Sequence, residues 1–295
     1  MASRSVTSGC LLVLLALPGA PAKADSWRYG IDAEYLHDSN ISRGPTGLDE
    51  KSDNIVAAEP YVARSLLLGE RSGLVLRGGL RASQHFSFGD LSNLALSGRA
   101  AWRMQPSLGY SAPWLEVAGT ATWLRHRDSD LRDGAILGVS AGTGSYVTDR
   151  LRVGLGIGVE ERMADEGDLY ELSTRRIWAT LDYRVGIASA LYGSVTRVDG
   201  DHVFNAIYGN SQARLSTYAE RFAPDPALAE GYGGSTPAGY RIEAGTFVYE
   251  LGFNLPLSGT RAVDLSASYF DSETDAGGLS YDGYALRAAF LYRFR

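Results

Sequence analysis

About 12 segments of this chain alternate between apolar and polar side chains. In the segment 27–36, Tyr29 and Ile31 share one face, and Asp32 and Glu34 share the other. This period of two is the spacing at which a β-strand turns successive side chains to opposite faces. We find no convincing stretch with the 3.6-residue period of a helix. The alternation therefore predicts an all-β fold.

The connections between these segments also alternate, in length. Short connections fall at 67–72, 105–112, 147–150 and 256–261. Longer ones fall at 37–53, 84–93, 125–133, 162–171 and 271–282, and the stretch 199–241 is longer than all of them. Short turns at one rim and long loops at the other are typical of up-and-down antiparallel barrels that cross a membrane. The sequence thus predicts a barrel over residues 25–295 with one long extracellular loop near 199–241.

The first 24 residues have a different character from the rest of the chain. The apolar run from Cys10 to Leu17 follows Arg4, and Ala22-Lys23-Ala24 fits the small-residue cleavage site of a secretory signal peptide. We therefore expect residues 1–24 to be removed on export. The expected destination, reached through the periplasm, is the bacterial outer membrane.

A soluble β-sandwich would also alternate, so other features must separate it from a membrane barrel. Aromatic side chains gather near the ends of the alternating segments, and alanine and glycine recur on the apolar face. Hydrocarbon tolerates small residues at its boundary, whereas a sandwich core requires side-chain volume. Both features favour a transmembrane barrel of about 12 strands.

Two short stretches resemble known features of Gram-negative outer-membrane barrels. The stretch from Tyr284 to Phe294 resembles the C-terminal assembly signal of that class, with Arg295 following the aromatic residue. The stretch from Tyr35 to Ile41 resembles the exit of the first strand in several barrel groups, where D-x-N-hydrophobic leads into the first outer loop. The resemblance implies contact with outer-membrane lipid and lipopolysaccharide, and with the barrel-assembly machinery during biogenesis.

Acidic residues exceed basic ones, and the chain has a formal net charge of −6. This balance argues against nucleic acid as a partner. Many of the acidic residues lie in the predicted outer loops, where they could bind divalent cations or be simply solvated. The sequence identifies no metal ligand set and no cofactor.

The polar face of the predicted strands would line the barrel lumen. The candidate lumen-lining residues are Arg77, Arg99, Arg103, Glu116, Arg152, Glu160, Arg176, Asp182, Arg184, Glu250 and Arg287. A barrel of 12 strands is intermediate in size. Side chains fill the lumen of a barrel of roughly 8 strands, whereas a barrel of roughly 16 strands leaves an open channel. Arginine–carboxylate pairs could plug such a lumen, or its arginines could select anionic solutes in a narrow pore. Both readings stay open.

An enzymatic alternative rests on His37-Asp38-Ser39-Asn40. This run is similar to the H-x-S-N motif of the outer-membrane phospholipase A and lipid A deacylase, although Ile41 replaces their small residue. The resemblance implies that Ser39 attacks an ester carbonyl and that His37 accepts its proton. Asn54, in the same outward register on the next strand, would orient the imidazole.

The sequence favours a porin-like channel for small solutes with an arginine- and carboxylate-lined lumen. The alternative is a lipid acyl hydrolase that uses His37 and Ser39. A third reading is a structural or adhesive barrel that acts through its loops.

Overall fold

The computed structural model describes residues 27–294, except 46, 108, 187, 208 and 275–278, and the side chains of 209–211 are also outside the description. The predicted signal peptide lies outside the described residues. Within them, no helix is long and apolar enough to cross a membrane.

Twelve antiparallel strands close into a barrel, and a thirteenth short strand adds to its sheet. The strands are β1 (Trp27–Asp38), β2 (Asp53–Leu67), β3 (Ser72–His85), β4 (Asn93–Met104), β5 (Trp114–His126), β6 (Gly134–Tyr146), β7 (Leu151–Ala164), β8 (Leu172–Val185), β9 (Ser189–Ala206), β10 (Arg221–Pro224), β11 (Ala238–Pro256), β12 (Arg261–Thr274) and β13 (Ser280–Arg293). Neighbours in the chain pair with each other, except that β9 pairs with β11. The pairing of β13 with β1 closes the barrel. The prediction of an up-and-down barrel of about 12 strands is confirmed.

The outer face of the barrel is apolar and exposed. Leu155, Ile157, Ile177 and Leu251 have exposed fractions of 60%, 58%, 62% and 60%. A soluble domain would bury side chains of this kind, whereas a membrane barrel presents them to hydrocarbon. Successive residues of each strand therefore face lipid and lumen in turn.

The two ends of the barrel differ. At one end the strands join through short turns, and at the other through long loops. The loops at the long-loop end pack together in a hydrophobic cluster that includes Ile41, Phe88, Leu91, Leu169, Tyr170, Ala227, Leu228 and Tyr232, all of them buried. We call this packed assembly of loops the cap.

The segment expected as one long loop near 199–241 contains regular structure. β9 continues to Ala206 and β11 begins at Ala238, so these two strands pair well beyond the expected loop boundaries. Between them lie the helix α1 (Gly209–Tyr218), β10 and a 3-10 helix (Pro226–Tyr232). The expectation that the chain contains no helix is therefore wrong. The helix is only 10 residues long, too short for a strong helical period to emerge from the sequence.

Candidate functional site

The lumen has two walls of different composition. The inward side chains of β12, β13, β1, β2 and β3 form the charged wall, and those of β4 to β9 form the glycine wall. Strand β11 lies between the two walls. Each wall follows from the strand alternation, because the same register that turns apolar side chains to the outside turns these residues inward.

On the charged wall, ion pairs connect strands that are not neighbours. Arg77 Nη2 on β3 lies 2.9 Å from Asp32 Oδ2 on β1 and 2.9 Å from Glu59 Oε1 on β2. The guanidinium of Arg77 also lies 4.0 Å above the centre of the Tyr61 ring. One arginine thus pairs with two carboxylates and packs on an aromatic ring.

Arg287 is the centre of a second network on the same wall. Its Nε lies 3.0 Å from Glu34 Oε2 and its Nη1 lies 2.8 Å from Asp264 Oδ1. Arg81 also donates a hydrogen bond to Glu34, and the Tyr192 hydroxyl donates to Asp264 over 2.9 Å. Arg287, Glu34 and Asp264 are nearly inaccessible to solvent, so each buried charge has a partner of opposite sign.

Glycine replaces side chains on the facing wall. The inward positions of β6 and β7 include Gly138, Gly142, Gly144, Gly154, Gly156 and Gly158. Gly142 is paired directly with Gly156, and Gly144 with Gly154. A strand interior loses stability with each glycine, so this concentration points to close approach by another group.

Two tryptophans occupy the space above these glycines. A Cβ added to Gly156 would lie 2.2 Å from Trp178 Cζ2, and one added to Gly144 would lie 2.4 Å from Trp114 Cζ2. Both rings therefore lie directly against the backbone of the wall. Arg176 lies 5.4 Å from the ring centre of Trp178, and Arg103 lies 4.4 Å from that of Trp114.

Arg99 and Arg103 on the glycine wall are more accessible than Arg77, Arg81 and Arg287 on the charged wall, whereas Arg152 of the glycine wall is only 12% exposed. Arg99 Nη2 lies 2.8 Å from Glu116 Oε1, and Arg103 Nη2 lies 2.7 Å from Glu116 Oε2. The side chains of Arg99 and Arg103 nevertheless have exposed fractions of 43% and 50%, compared with 7% for Arg287. Solvent therefore reaches this part of the lumen.

The remaining candidate lumen residues also lie on inward positions. Arg152 Nη2 on β7 lies 2.9 Å from Asp182 Oδ2 on β8. Glu250 on β11 lines a small cavity together with Arg287. The candidates on the glycine wall are Arg99, Arg103, Glu116, Arg152, Glu160, Arg176, Asp182 and Arg184, and those on the charged wall are Arg77 and Arg287.

The cap is held by a buried ion pair between two loops. Arg132 donates hydrogen bonds to Asp225, and the Tyr170 hydroxyl donates to Asp225 Oδ2 over 2.6 Å. Burial alone would raise the pKa of the Asp225 carboxyl, but Arg132 and Tyr170 bring this pKa below its ordinary value. The carboxylate is therefore charged and paired at neutral pH.

Arg43 is a residue of the cap whose role the sequence did not indicate. Its Nη1 and Nη2 lie 3.0 and 2.8 Å from the two oxygens of Asp38. The guanidinium also lies 4.2 Å above the ring of Phe270 on β12. One cavity is lined by Arg43 together with residues of seven strands, among them Arg162 and His202. The lumen is therefore narrow beneath the cap.

The residues proposed for the hydrolase lie together on the outward side at the long-loop end. His37 is directly paired with Asn54, and His37 Nδ1 lies 3.0 Å from Asn54 Oδ1. Ser39 Oγ accepts a hydrogen bond of 2.8 Å from the backbone N–H of Tyr284. Within the described residues, Ser39 and His37 make no hydrogen bond to each other. The structure thus brings together two of the three residues in contact and places the third nearby.

The acidic loops contain no arrangement of metal ligands among the described residues, where no group of three or more His, Cys, Asp or Glu side chains could hold a metal ion. Several of these carboxylates have protein partners instead. Asp53 Oδ2 lies 2.9 Å from His85 Nδ1, and Asp133 Oδ2 lies 2.7 Å from Arg125 Nη1.

No protein-family model matches the chain, and no curated protein matches it. Among solved structures, an outer-membrane channel from Pseudomonas putida F1 is similar with a TM-score of 0.60 and 13% identity, over 93% of this chain and 99% of that one. The NanC porin has a TM-score of 0.47 and 9% identity, over 89% and 98% of the two chains. The translocator domain of the autotransporter NalP from Neisseria meningitidis has a TM-score of 0.41 and 10% identity, over 91% and 88%. At these identities the likeness concerns the fold, and the chain has the fold of an outer-membrane β-barrel.

Proposed function

We propose that this protein is an outer-membrane channel for small solutes, with a path along the glycine wall and a gate formed by the cap. The apolar outer face contacts lipid, and lipopolysaccharide surrounds the long-loop end. The observation that carries the proposal is the contrast between two sets of arginines: the ion pairs of Arg287 on the charged wall are nearly inaccessible, while solvent reaches Arg99 and Arg103 on the glycine wall.

Barrel size is compatible with this proposal. Twelve strands enclose more space than the roughly 8 strands whose lumen is filled by side chains alone. The networks around Arg77 and Arg287 use part of that space. Because glycines have no side chains, the remaining space holds two tryptophan rings, accessible arginines and solvent. A narrow passage lined by charged side chains selects solutes by size and charge.

The cap provides the gate. It packs a hydrophobic cluster over the long-loop end, and the buried pair of Arg132 and Asp225 joins the loop before β6 to the loop before β11. Replacing Asp225 with asparagine leaves a buried guanidinium without its counter-charge, which is strongly unfavourable. The cap should then loosen, while the barrel strands remain paired.

Single-channel recording in planar bilayers tests the proposal. We expect the wild type to show small, infrequent openings, and Asp225→Asn to show more frequent openings of larger conductance. Asp168→Asn is the control, because Asp168 in the loop between β7 and β8 pairs with Arg221 of β10 at the same end of the barrel but is 55% exposed. Its recordings should match the wild type. If neither the wild type nor Asp225→Asn conducts at any voltage, the channel proposal is wrong.

A second candidate function, the lipid acyl hydrolase, is favoured by the contact between His37 and Asn54. An Asn54 Oδ1 that accepts from His37 Nδ1 fixes the tautomer in which Nε2 is free to accept a proton from Ser39. In the present arrangement the Ser39 hydroxyl is bound to the backbone of Tyr284 instead. Catalysis would require the hydroxyl to rotate toward the imidazole.

An acyl-release assay tests this candidate. Purified barrel is mixed with phospholipid or lipopolysaccharide in detergent, and free fatty acid is measured. The hydrolase predicts release by the wild type and loss of release in Ser39→Ala. Ser173→Ala, at another outward position, should keep wild-type release. Absence of release by the wild type would reject this candidate and leave the channel unaffected.

A further inference from the structure

We infer that the glycine wall is a binding track for organic anions that carry a flat ring, such as aromatic carboxylates. This inference rests on the proposed channel function and names the class of solute that the lumen would retain. It is carried by two tryptophan rings that lie against glycines, each with an arginine guanidinium over the ring, on the wall where solvent reaches Arg99 and Arg103.

The ring of Trp178 is held by the backbone beneath it. It extends from β8 across β7, where added Cβ atoms at Gly156 would lie 2.2 and 2.5 Å from two of its atoms. It reaches as far as β6, where a Cβ at Gly142 would lie 3.9 Å from Trp178 Cζ2. One face of the ring is therefore covered by the strand backbone.

Trp114 repeats this arrangement one step along the wall. Its ring extends from β5 over Gly144, which lies two residues from Gly142 on the same inward face. Because Gly142 and Gly144 pair with Gly156 and Gly154, the two tryptophans lie on neighbouring layers of one glycine floor. A solute moving along this floor would meet one ring after the other.

Arginines accompany both rings. Arg103 lies 4.4 Å from the Trp114 ring centre, and Arg176 lies 5.4 Å from that of Trp178. On the inward positions of this wall, arginines outnumber carboxylates. The arginines include Arg99, Arg103, Arg152, Arg176 and Arg184, and the carboxylates are Glu116, Glu160 and Asp182. The local charge therefore favours anions, although the whole chain is acidic.

Rings and positive charge together define the solute. A flat ring can stack on a guanidinium that itself lies over an indole, and a carboxylate can accept hydrogen bonds from a neighbouring arginine. Acetate lacks the stacking group, and benzyl alcohol lacks the charge. The track should therefore retain benzoate better than either of them.

Two measurements on the full barrel test this inference. In bilayers, we expect benzoate to reduce the ion current through Asp225→Asn at lower concentrations than acetate or benzyl alcohol. Adding Trp178→Ala should raise the half-blocking concentration of benzoate about fivefold, the factor that corresponds to one aromatic stacking contact. The matched control is Trp123→Ala, because Trp123 is on β5 like Trp114 but faces outward and is 46% exposed.

Tryptophan fluorescence in detergent is the second measurement and does not depend on conductance. Benzoate should change the emission of the wild type and of Trp123→Ala with the same midpoint, and should change that of Trp178→Ala only at higher concentration. If benzoate and acetate block equally, or if Trp178→Ala leaves both midpoints unchanged, the inference is wrong and the channel proposal stands. A barrel that binds benzoate by fluorescence but never conducts would contradict the channel proposal alone.

Discussion

The two walls of the lumen fill the space inside the barrel in opposite ways. The charged wall fills its share of the lumen with long charged side chains that pair in networks around Arg77 and Arg287, the second of them nearly inaccessible to solvent. The glycine wall removes side chains and covers the exposed backbone with two indole rings. In a barrel of fixed strand number, stability and passage can thus be assigned to different sides. The following predictions test whether this division holds.

The largest difference should appear when an arginine is removed from each wall. Arg287→Leu leaves Glu34 and Asp264 buried without their shared counter-charge, so we expect a loss of about 3–5 kcal/mol in the free energy of unfolding. Arg103→Leu removes a half-exposed partner of Glu116 and should cost less than about 1 kcal/mol. Denaturant titration in detergent, followed by circular dichroism, measures both. Equal losses would mean that the two walls are packed alike.

Filling the glycine wall should obstruct the passage. Gly156→Leu places a side chain where the Trp178 ring now lies and forces that ring into the lumen. We expect the single-channel conductance of Asp225→Asn to fall severalfold when this substitution is added. Gly119→Leu is the matched control, because Gly119 is on β5 with nothing within 4 Å of its added Cβ. If Gly156→Leu left the conductance unchanged, the solute path would not run along the glycine wall.

Removing a positive charge should change selectivity more on one wall than on the other. Arg99→Gln removes an exposed cation from the proposed path, so the preference for anions over cations should decrease. Arg81→Gln, in the network of the charged wall, should leave that preference almost unchanged. Reversal potentials in asymmetric salt measure both variants. A larger shift in Arg81→Gln would assign the path to the charged wall.

The smallest effect is expected from pH. Because the Asp225 pKa is lower in the folded cap than its ordinary value of about 3.9, its carboxylate stabilises the cap above that value. This contribution is lost only as pH falls through the lower, folded pKa. The opening frequency should therefore stay constant from about pH 8 to pH 5 and rise only in stronger acid. A rise near pH 6 would show that another group controls the cap.

The strands could be predicted because alternation is a local property of the sequence. Even residues 134–146, whose alternation is irregular, form a strand, β6. The same segment contains Gly138-Val139-Ser140-Ala141-Gly142, which matches the G-x-S-x-G motif of serine hydrolases but lacks the following helix. Its glycines lie instead against side chains from other strands, Gly138 against Thr120 and Gly142 near Trp178. No pattern within one segment could reveal those contacts.

The loops were least predictable because their structure depends on distant partners. Arg132 and Asp225 are 93 residues apart, and the buried side chains of the cap come from five separate connections. The placement of Asn54 beside His37, by contrast, followed from the outward register of two neighbouring strands. The register of neighbouring strands can be predicted from the sequence. The packing of loops and the contacts of tryptophan rings with glycines cannot.

Thiol labelling tests the division of the lumen most directly. The only cysteine of the chain is Cys10, within the expected signal peptide, so single cysteines can be introduced without a background. Ser194→Cys lies on the glycine wall, and Ala289→Cys lies on the charged wall, where the native side chain is 3% exposed. A small anionic thiol reagent, followed by mass spectrometry in detergent, should label Ser194→Cys rapidly and Ala289→Cys slowly. Equal rates at the two positions, or faster labelling of Ala289→Cys, would contradict a solute path along the glycine wall.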